Sequence, residues 1–321
     1  MTDPGRVGQQ ILDAVEQAVV GKREALTLVL AGVLAGGHVL VEDNPGLGKT
    51  LAARSFAQAL GLPFRRVQFT PDLLPSDVTG SYVYDQRGGE FVFRPGPLFT
   101  GLLLADELNR TPPKTQSALL EAMQERQVSV EGTTFPLSAP FHVIATANPI
   151  EYEGTYPLPE AQLDRFLLRV RFGYPDAEQE WEVLRARVER AREATEVPQV
   201  VDAEGLLALQ AAVERVVVDP TVGRYCVDLA RATRTVGDVA VGASPRGALA
   251  LLLTGRALAL LAGRDFLLPE DVKAVAASAL AHRLTLTSDA WLRQRSPDYL
   301  VAALLDRVPA PPTVAPSNTA P

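Results

Sequence analysis

The segment Asp43-Asn44-Pro45-Gly46-Leu47-Gly48-Lys49-Thr50 brings together the groups that a polyphosphate requires. Such an anion is held by main-chain N–H groups turned inward, the positive end of a helix, one long cation and a hydroxyl for a metal. Gly46 and Gly48 permit the close backbone path, Lys49 can reach the outer phosphates and Thr50 can ligate magnesium. The usual pattern opens with glycine where this chain has Asp43, so the loop entrance departs from it. Binding of a purine nucleoside triphosphate follows from the remaining chemistry.

A second group lies in Leu102-Leu103-Leu104-Ala105-Asp106-Glu107, an apolar run ending in two acids. Asp106 can stand beside the magnesium while Glu107 polarises a water for attack on the terminal phosphate. The run from His142 to Ala147 ends at Asn148-Pro149, where an amide can donate and accept at once. It could hold the attacking water or sense the terminal phosphate, although an Asn-Pro pair is by itself a common turn. Ser244-Pro245-Arg246 puts a cation at a helix start, a place the helix dipole disfavours unless an anion lies nearby. Cys226 is the only cysteine, which rules out an internal disulfide, and His38, His142 and His282 lack ligand spacing.

Positioning these groups calls for strands that end where loops begin. His38 to Val41 is a short apolar run directly before the phosphate loop, and helical periodicity resumes from Lys49 to about Leu60. Further runs at Phe64 to Phe69, Leu102 to Ala105 and His142 to Ala145, separated by helical segments, predict a parallel sheet covered on both faces. Upstream, the spacing of Ile11, Val15 and Ala18 predicts a helix from about Gly8 to Val19, with Gly21 separating it from a second helix ending near Leu34. Alternating aromatics in Tyr82-Val83-Tyr84 and Phe91-Val92-Phe93 around Gly88-Gly89 predict a hairpin. A second runs from Gln127 to Val130 and returns through Phe135 to Leu137 around Gly132.

From Asp176 onward the strand signals nearly vanish. Helices are expected over Ala177 to Ala194, Ala203 to Val213, Thr221 to Thr233, Pro245 to Ala262 and Pro269 to Leu280. This shift divides an α/β core (1–174) from a helical domain (175–308), with a flexible Pro/Ala/Thr-rich tail at 309–321. At 321 residues and 47% hydrophobic content the chain can bury a proper core without staples. A net charge of -7 offers no global attraction for nucleic acid. Met1-Thr2-Asp3-Pro4-Gly5 lacks the basic-then-apolar order of a signal peptide and no apolar run reaches membrane-spanning length, so a cytoplasmic protein is expected.

The stretches Val39 to Thr50, Phe69 to Asp77, Leu103 to Lys114, Ala118 to Val130 and Ala145 to Phe166 together resemble the MoxR family of AAA+ ATPases. The resemblance continues at Arg231 to Thr235, Gly242 to Arg246, Gly263 to Val272 and His282 to Leu284. It implies an AAA+ P-loop nucleotide-binding core of α/β class with a parallel sheet, a helix-two insertion at the Tyr82 to Phe93 hairpin, a pre-sensor hairpin at Gln127 to Leu137, and an all-helical lid. ATP and Mg2+ are the implied cofactors. Asn44, Pro45, Gly46, Leu47, Gly48, Lys49, Thr50 and Leu51 would surround the phosphates, Gly21 would lie near the adenine, and Thr50 and Asp106 would share the metal.

By the same resemblance Glu107 acts on the water, Asn148 is the first sensor, and Arg165 in Glu160 to Phe166 is the arginine finger that reaches a neighbour's nucleotide. Arg246 matches the second sensor, acting in its own subunit or on a neighbour. A homo-hexamer, a protein client and a partner with a von Willebrand factor A domain are implied, with roles in maturation, metal-cofactor insertion or complex assembly. The motor subunit of a magnesium chelatase is the nearest alternative; Glu107 to Lys114 and Gln124 to Val128 look more like MoxR. A DNA-remodelling ring and an ATP-gated scaffold are further readings, the first disfavoured by the acidic balance.

Overall fold

The computed structural model describes residues 3–149, 155–190 and 195–312. Helices α1 (Pro4–Glu16) and α2 (Arg23–Leu34) precede strand β1 (Val39–Glu42), helix α3 (Lys49–Ala59) and strand β2 (Phe64–Gln68). The short α4 (Pro75–Thr79) leads into a hairpin of β3 (Gly80–Asp85) and β4 (Glu90–Pro95). Strand β5 (Leu102–Asp106) and α5 (Pro113–Glu125) follow, then a second hairpin of β6 (Gln127–Val130) and β7 (Thr133–Pro136). Strand β8 (His142–Ala147), the single turn α6 (Glu160–Leu163) and β9 (Leu168–Val170) complete this part. Beyond it lie α7 (Ala177–Arg190), α8 (Ala203–Glu214), α9 (Pro220–Ala232), β10 (Val239–Val241), α10 (Pro245–Leu261), α11 (Pro269–Leu280), β11 (Thr285–Leu286), α12 (Ser288–Leu292) and α13 (Pro297–Arg307).

The apolar runs pair into one parallel sheet of order β2-β5-β8-β1-β9. Because side chains alternate across a strand, each run feeds two cores. Val39 and Val41 enter the core beneath α1, α2 and α3, whereas Leu40 enters the opposite one. Leu102 and Leu104 divide from Leu103 and Ala105 in the same way, and Ile144 from Val143 and Ala145. Burial on both faces is why these strands read as continuous apolar runs. At the sheet edge β2 instead exposes Arg65 and Arg66, charges that discourage pairing with another chain.

The core beneath α1 to α3 continues into α8, α9, α10 and α11, so the helical region packs into the same apolar mass. Many prolines stand at helix starts, as in Pro4, Pro113, Pro220, Pro245, Pro269 and Pro297, where the fixed φ suits the first turn and no amide bond is lost.

The first helix begins at Pro4 rather than Gly8, because the Asp3 carboxylate caps it by accepting from the Gly5 amide at 3.0 Å. It ends at Glu16, so Ala18 falls outside it. Gly5 allows α1 to lie against α10: a Cβ there would stand 2.6 Å from the Leu260 carbonyl oxygen. Strand β7 starts at Thr133, ahead of the expected Phe135, because the two-residue turn at Glu131-Gly132 lets pairing resume at once. The lid is helical as expected but includes one short antiparallel pair, β10 with β11. Strand β9, α12 and α13 are too short or too weakly patterned to have been anticipated. The end of the expected Ala177 to Ala194 helix and the tail from 313 lie outside the described residues.

Two histidines tie the layers together. The buried His38 accepts from the Val143 amide at Nδ1, 2.9 Å away, and its Nε2 donates to the Met123 carbonyl at 3.1 Å. His142 bonds the Gly37 carbonyl through Nδ1 at 3.0 Å and meets the Gln210 amide through Nε2 at 3.0 Å. Burial pushes His38 down to about 3, with His142 adding to the effect, and burial likewise pushes His142 down to about 4. Burial also holds His282 well below its ordinary value. Since the folded values lie below the unfolded one, the unfolded state takes up protons first as pH falls. The stabilisation is whole above the unfolded value and is lost as pH drops below it. Urea unfolding at pH 5.5 is expected to show roughly 1.4 kcal/mol less stability per buried histidine than at pH 7.5. His142→Gln should remove about one third of the histidine contribution; an unchanged pH slope would refute the assignment.

Candidate nucleotide site

Strand β1 delivers the chain to the phosphate loop at the carboxyl edge of the sheet. Gly46 and Gly48 have φ of 83° and 80°, in the left-handed region that side chains disfavour. A Cβ at either would meet nothing within 4 Å, so the loop opens onto free space. Gly48 caps α3 without a side-chain acceptor, which leaves the amides of the first turn available for an anion. The Lys49 Nζ donates to the Asp43 carbonyl at 2.5 Å.

Asp43, the departure from the usual glycine, buckles the loop entrance to the chain leaving β9. Its Oδ2 accepts from the Phe172 and Gly173 amides, each at 2.7 Å, while Oδ1 accepts from the Asn44 amide at 2.9 Å. Asn44 stays at this entrance, its Nδ2 donating to the Tyr174 hydroxyl at 3.2 Å.

Parallel pairing of β5 with β8 sets the acids against this loop. Asp106 is buried; its Oδ1 accepts from Thr146 Oγ1 at 2.6 Å, and its Oδ2 faces Thr50 Oγ1 at 3.5 Å. Arg66 clasps the same Oδ2 through Nε at 2.9 Å and Nη2 at 2.7 Å. Glu107 sits in the left-handed region at φ 56°, uncommon for a residue with a side chain. Its amide donates to Thr146 Oγ1 at 2.8 Å, and its carboxylate lies 3.2 Å from Arg110 Nε. Asn148 is buried at the end of β8, and Asn109 brackets its backbone by donating to its carbonyl at 3.1 Å and accepting from its amide at 3.4 Å.

Lys49, Thr50, Asp106, Glu107 and Asn148 thus line one cavity of about 370 Å3, with Pro45, Gly46, Gly48 and Leu51 as its floor and Arg66 and Thr146 as additions. No cluster of three metal-ligating side chains occurs among the described residues. A hard cation would accordingly be held by Thr50 and Asp106 together with phosphate oxygens and water, a donor set that suits magnesium.

An apolar cavity of about 330 Å3 adjoins the loop, lined by Val19, Val20, Lys22, Leu47 and Leu51 and closed by Pro175, Val183 and Leu184. Its shape and lining suit a flat base. Gly21 does not line it but makes the turn at φ 72° that lets its neighbours do so; a Cβ there would stand 2.5 Å from the Gln179 side chain. The buried Lys22 ammonium donates to the Gly173 carbonyl at 2.9 Å.

Arg165 and Arg246 line neither cavity. Asp164, immediately before Arg165, accepts from Arg283 Nε at 2.8 Å and from Ser244 Oγ at 3.1 Å. That serine hydroxyl also caps α10 by accepting from the Arg246 amide at 3.1 Å. Burial lowers the Arg283 pKa, Asp164 raises it, and Arg246 is close enough to lower it further. Arg165 thus follows Asp164 directly in the chain, and the Arg246 amide is joined to the same carboxylate through the Ser244 hydroxyl.

Sequence reasoning missed Arg66, Thr146, Asn109 and Arg110. Of these only Thr146 carried a signal, as the one hydroxyl in an otherwise apolar strand end; the rest are ordinary polar residues until pairing brings them to the cavity.

Residues 38–168 match the family described as ATPase family associated with various cellular activities (AAA), and residues 231–303 match the AAA lid domain. The chain is similar to the protein YeaC of Bacillus subtilis, 46% identical over 94% of this chain and 93% of that one. It is 44% identical to the chaperone MoxR1 of Mycobacterium tuberculosis, over 92% of this chain and 80% of that one. The protein MoxR of Paracoccus denitrificans is 34% identical over 91% and 92% of the two chains. A solved structure from Cytophaga hutchinsonii, described as a candidate ATPase, superposes with a TM-score of 0.89 at 40% identity, covering 96% of each chain.

The role found for Asp43 is testable. Asp43→Gly restores the common loop pattern yet leaves the Phe172 and Gly173 amides without their acceptor, at a cost of about 1–3 kcal/mol. Urea unfolding should register that loss together with weaker nucleotide binding; a variant as stable as the parent would show that the carboxylate is dispensable.

Proposed function

Since the chain belongs to the MoxR family of AAA+ ATPases, we propose that it hydrolyses ATP with magnesium at sites shared between subunits of a homo-hexameric ring and uses the cycle to remodel client proteins. The observation that carries this reading is the separation of parts. The cavity with Lys49, Thr50, Asp106, Glu107 and Asn148 does not include Arg165 or Arg246, and neither arginine forms an ion pair among the described residues. A neighbouring subunit supplies the geometry in which both would meet a nucleotide, which favours action in trans for Arg246 as well as for Arg165.

In this reading Lys49 exchanges the Asp43 carbonyl for the outer phosphates, and Glu107 takes up the proton of an attacking water held by Asn148. Thr50 and Asp106 would hold magnesium, which would supply charge neutralisation for the phosphates. Arg165 from the neighbour stabilises the charge that develops on the transferring phosphoryl group. Val20, Lys22 and α7 close over the base, so loss of the terminal phosphate is felt by the helical region.

The two hairpins are joined by an offset stack of Phe93 on Phe135 at 3.9 Å, while Tyr84, Phe91 and Val92 remain exposed. Such a surface suits client contact. A client-directed role is further supported by the name of the relative MoxR1, a chaperone. A partner with a von Willebrand factor A domain, assistance in metal-cofactor insertion and a cytoplasmic location belong to the same proposal. Among the described residues no helix is long and apolar enough to cross a membrane.

ATP hydrolysis measured against protein concentration, with mass determined in parallel, is expected to rise in specific activity as subunits assemble. Lys49→Ala should abolish it, and Arg165→Ala should lower kcat by roughly 1,000-fold with nucleotide binding retained. Mixing Arg165→Ala with Glu107→Ala subunits should recover activity at interfaces that pair an intact Glu107 with an intact Arg165. Constant activity in a proven monomer would sink the shared-site mechanism.

A further inference from the structure

Arg283 is a buried guanidinium that the proposed hydrolytic cycle does not use. Its side chain is 3% exposed, and Asp164, its ion-pair partner at 2.8 Å, is 21% exposed. The acceptors of the Arg283 fork lie in the segment around Arg165, on the adjoining end of α11 and at the neighbouring His282 ring. Nη2 donates to the Phe166 carbonyl at 2.8 Å, Nη1 to the Leu167 carbonyl at 3.3 Å, and Nη1 also to the Ala279 carbonyl. Arg165 is thus bracketed: the residue before it is bonded through its carboxylate and the two after it through their carbonyls.

The other Asp164 oxygen accepts from Ser244, whose hydroxyl caps the helix that begins with Pro245 and Arg246. Close packing reinforces this link, since a Cβ at Gly247 would stand 3.0 Å from Leu280 Cδ2 and 3.5 Å from Arg283 Cδ.

We infer that Arg283 is a positioning residue for catalysis on the neighbouring subunit: through Asp164 it fixes Arg165 and Arg246 as one unit, so that the helical lid and the finger are presented to the next subunit together. The inference rests on the reading of Arg165 as a finger acting in trans. The physical reason is the chemistry of the fork. A single α6 turn of four residues, Glu160–Leu163, cannot by itself hold the segment after it, and a planar guanidinium reaches a carboxylate and two carbonyls at once where a lysine ammonium cannot. A buried ion pair is costly to assemble and contributes orientation rather than net stability. Its placement beside Arg165 and Arg246, and not in the centre of the lid, is what such a role requires.

The experiment uses the full chain with Arg283→Lys and, separately, Asp164→Asn. Mass and thermal unfolding verify the ring, and a fluorescent ATP analogue reports nucleotide binding. The expected result is a kcat lowered by roughly tenfold or more, the scale of a lost positioning contact, with KM and analogue affinity within twofold of the parent. A merely structural role would move binding and assembly along with kcat.

Mixed rings supply the decisive readout. Arg283→Lys mixed with Glu107→Ala should regain activity, because an intact nucleotide site then meets an intact finger. Mixed with Arg165→Ala it should not, since neither subunit presents a finger. Unchanged kcat, or no recovery with Glu107→Ala while the Arg165→Ala and Glu107→Ala mixture does recover, overturns the role of Arg283 alone. Failure of that last mixture removes the trans reading of Arg165 and this inference with it. If Arg283→Lys does not assemble, Asp164→Asn breaks the same pair, and the same mixtures then decide the matter.

Discussion

Val39, Leu40 and Val41 are covered on both faces and hydrogen-bonded along both edges, by β8 on one side and β9 on the other. A strand buried in this way has no freedom to slide, since a shift of one residue would exchange the residues feeding the two cores. The chain must leave the sheet at Asp43, and the loop that follows has to cradle its ligand there. The acids and the amide are held by the same constraint, because β8 pairs in register with β1 and β5 with β8, and all three end at the same edge. Removal of water from the sheet thereby sets the positions of charged groups that are themselves only partly buried.

Around that edge, polar pairing takes over from apolar burial. Thr146 joins the two acidic residues by donating to the Asp106 carboxylate and accepting from the Glu107 backbone amide, so one hydroxyl ties the two positions together. Asn109 does the same for Asn148 through two backbone bonds. Asp43 links the loop entrance to the segment that runs on toward α7. The consequence is a cavity whose working groups are each held by a second residue. Such support is what keeps a phosphoryl-transfer site organised before its ligand arrives.

The helical region is tied to this framework by apolar packing and by polar bonds. It shares the apolar core beneath α1 to α3, and it reaches the far end of β9 through the Arg283 and Asp164 pair. Strand β9, only three residues long, pairs with β1 and lies directly after the segment that carries Arg165.

Much of this was legible in the residues alone. Gly46, Gly48, Lys49 and Thr50 declare an anion cradle because their spacing makes sense for little else, and the apolar runs before Asp43, Asp106 and Asn148 announce strands because only double burial tolerates such runs. The alternating aromatics of the first hairpin were equally plain. The start of α1 at Pro4 and the strand β9 were not, since one turns on a single cap and the other on three residues paired to a distant partner. The amino-acid sequence by itself determined the family and the class of fold, both of which depend on local order along the chain. Tertiary structure alone decided that Arg66 and Thr146 join the cavity, that Asp43 braces the loop, and that Ser244 at the start of α10 is bonded to the carboxylate beside Arg165. Those relations join residues that lie far apart in sequence, and only the packing of the sheet against the helical region brings them within hydrogen-bond reach.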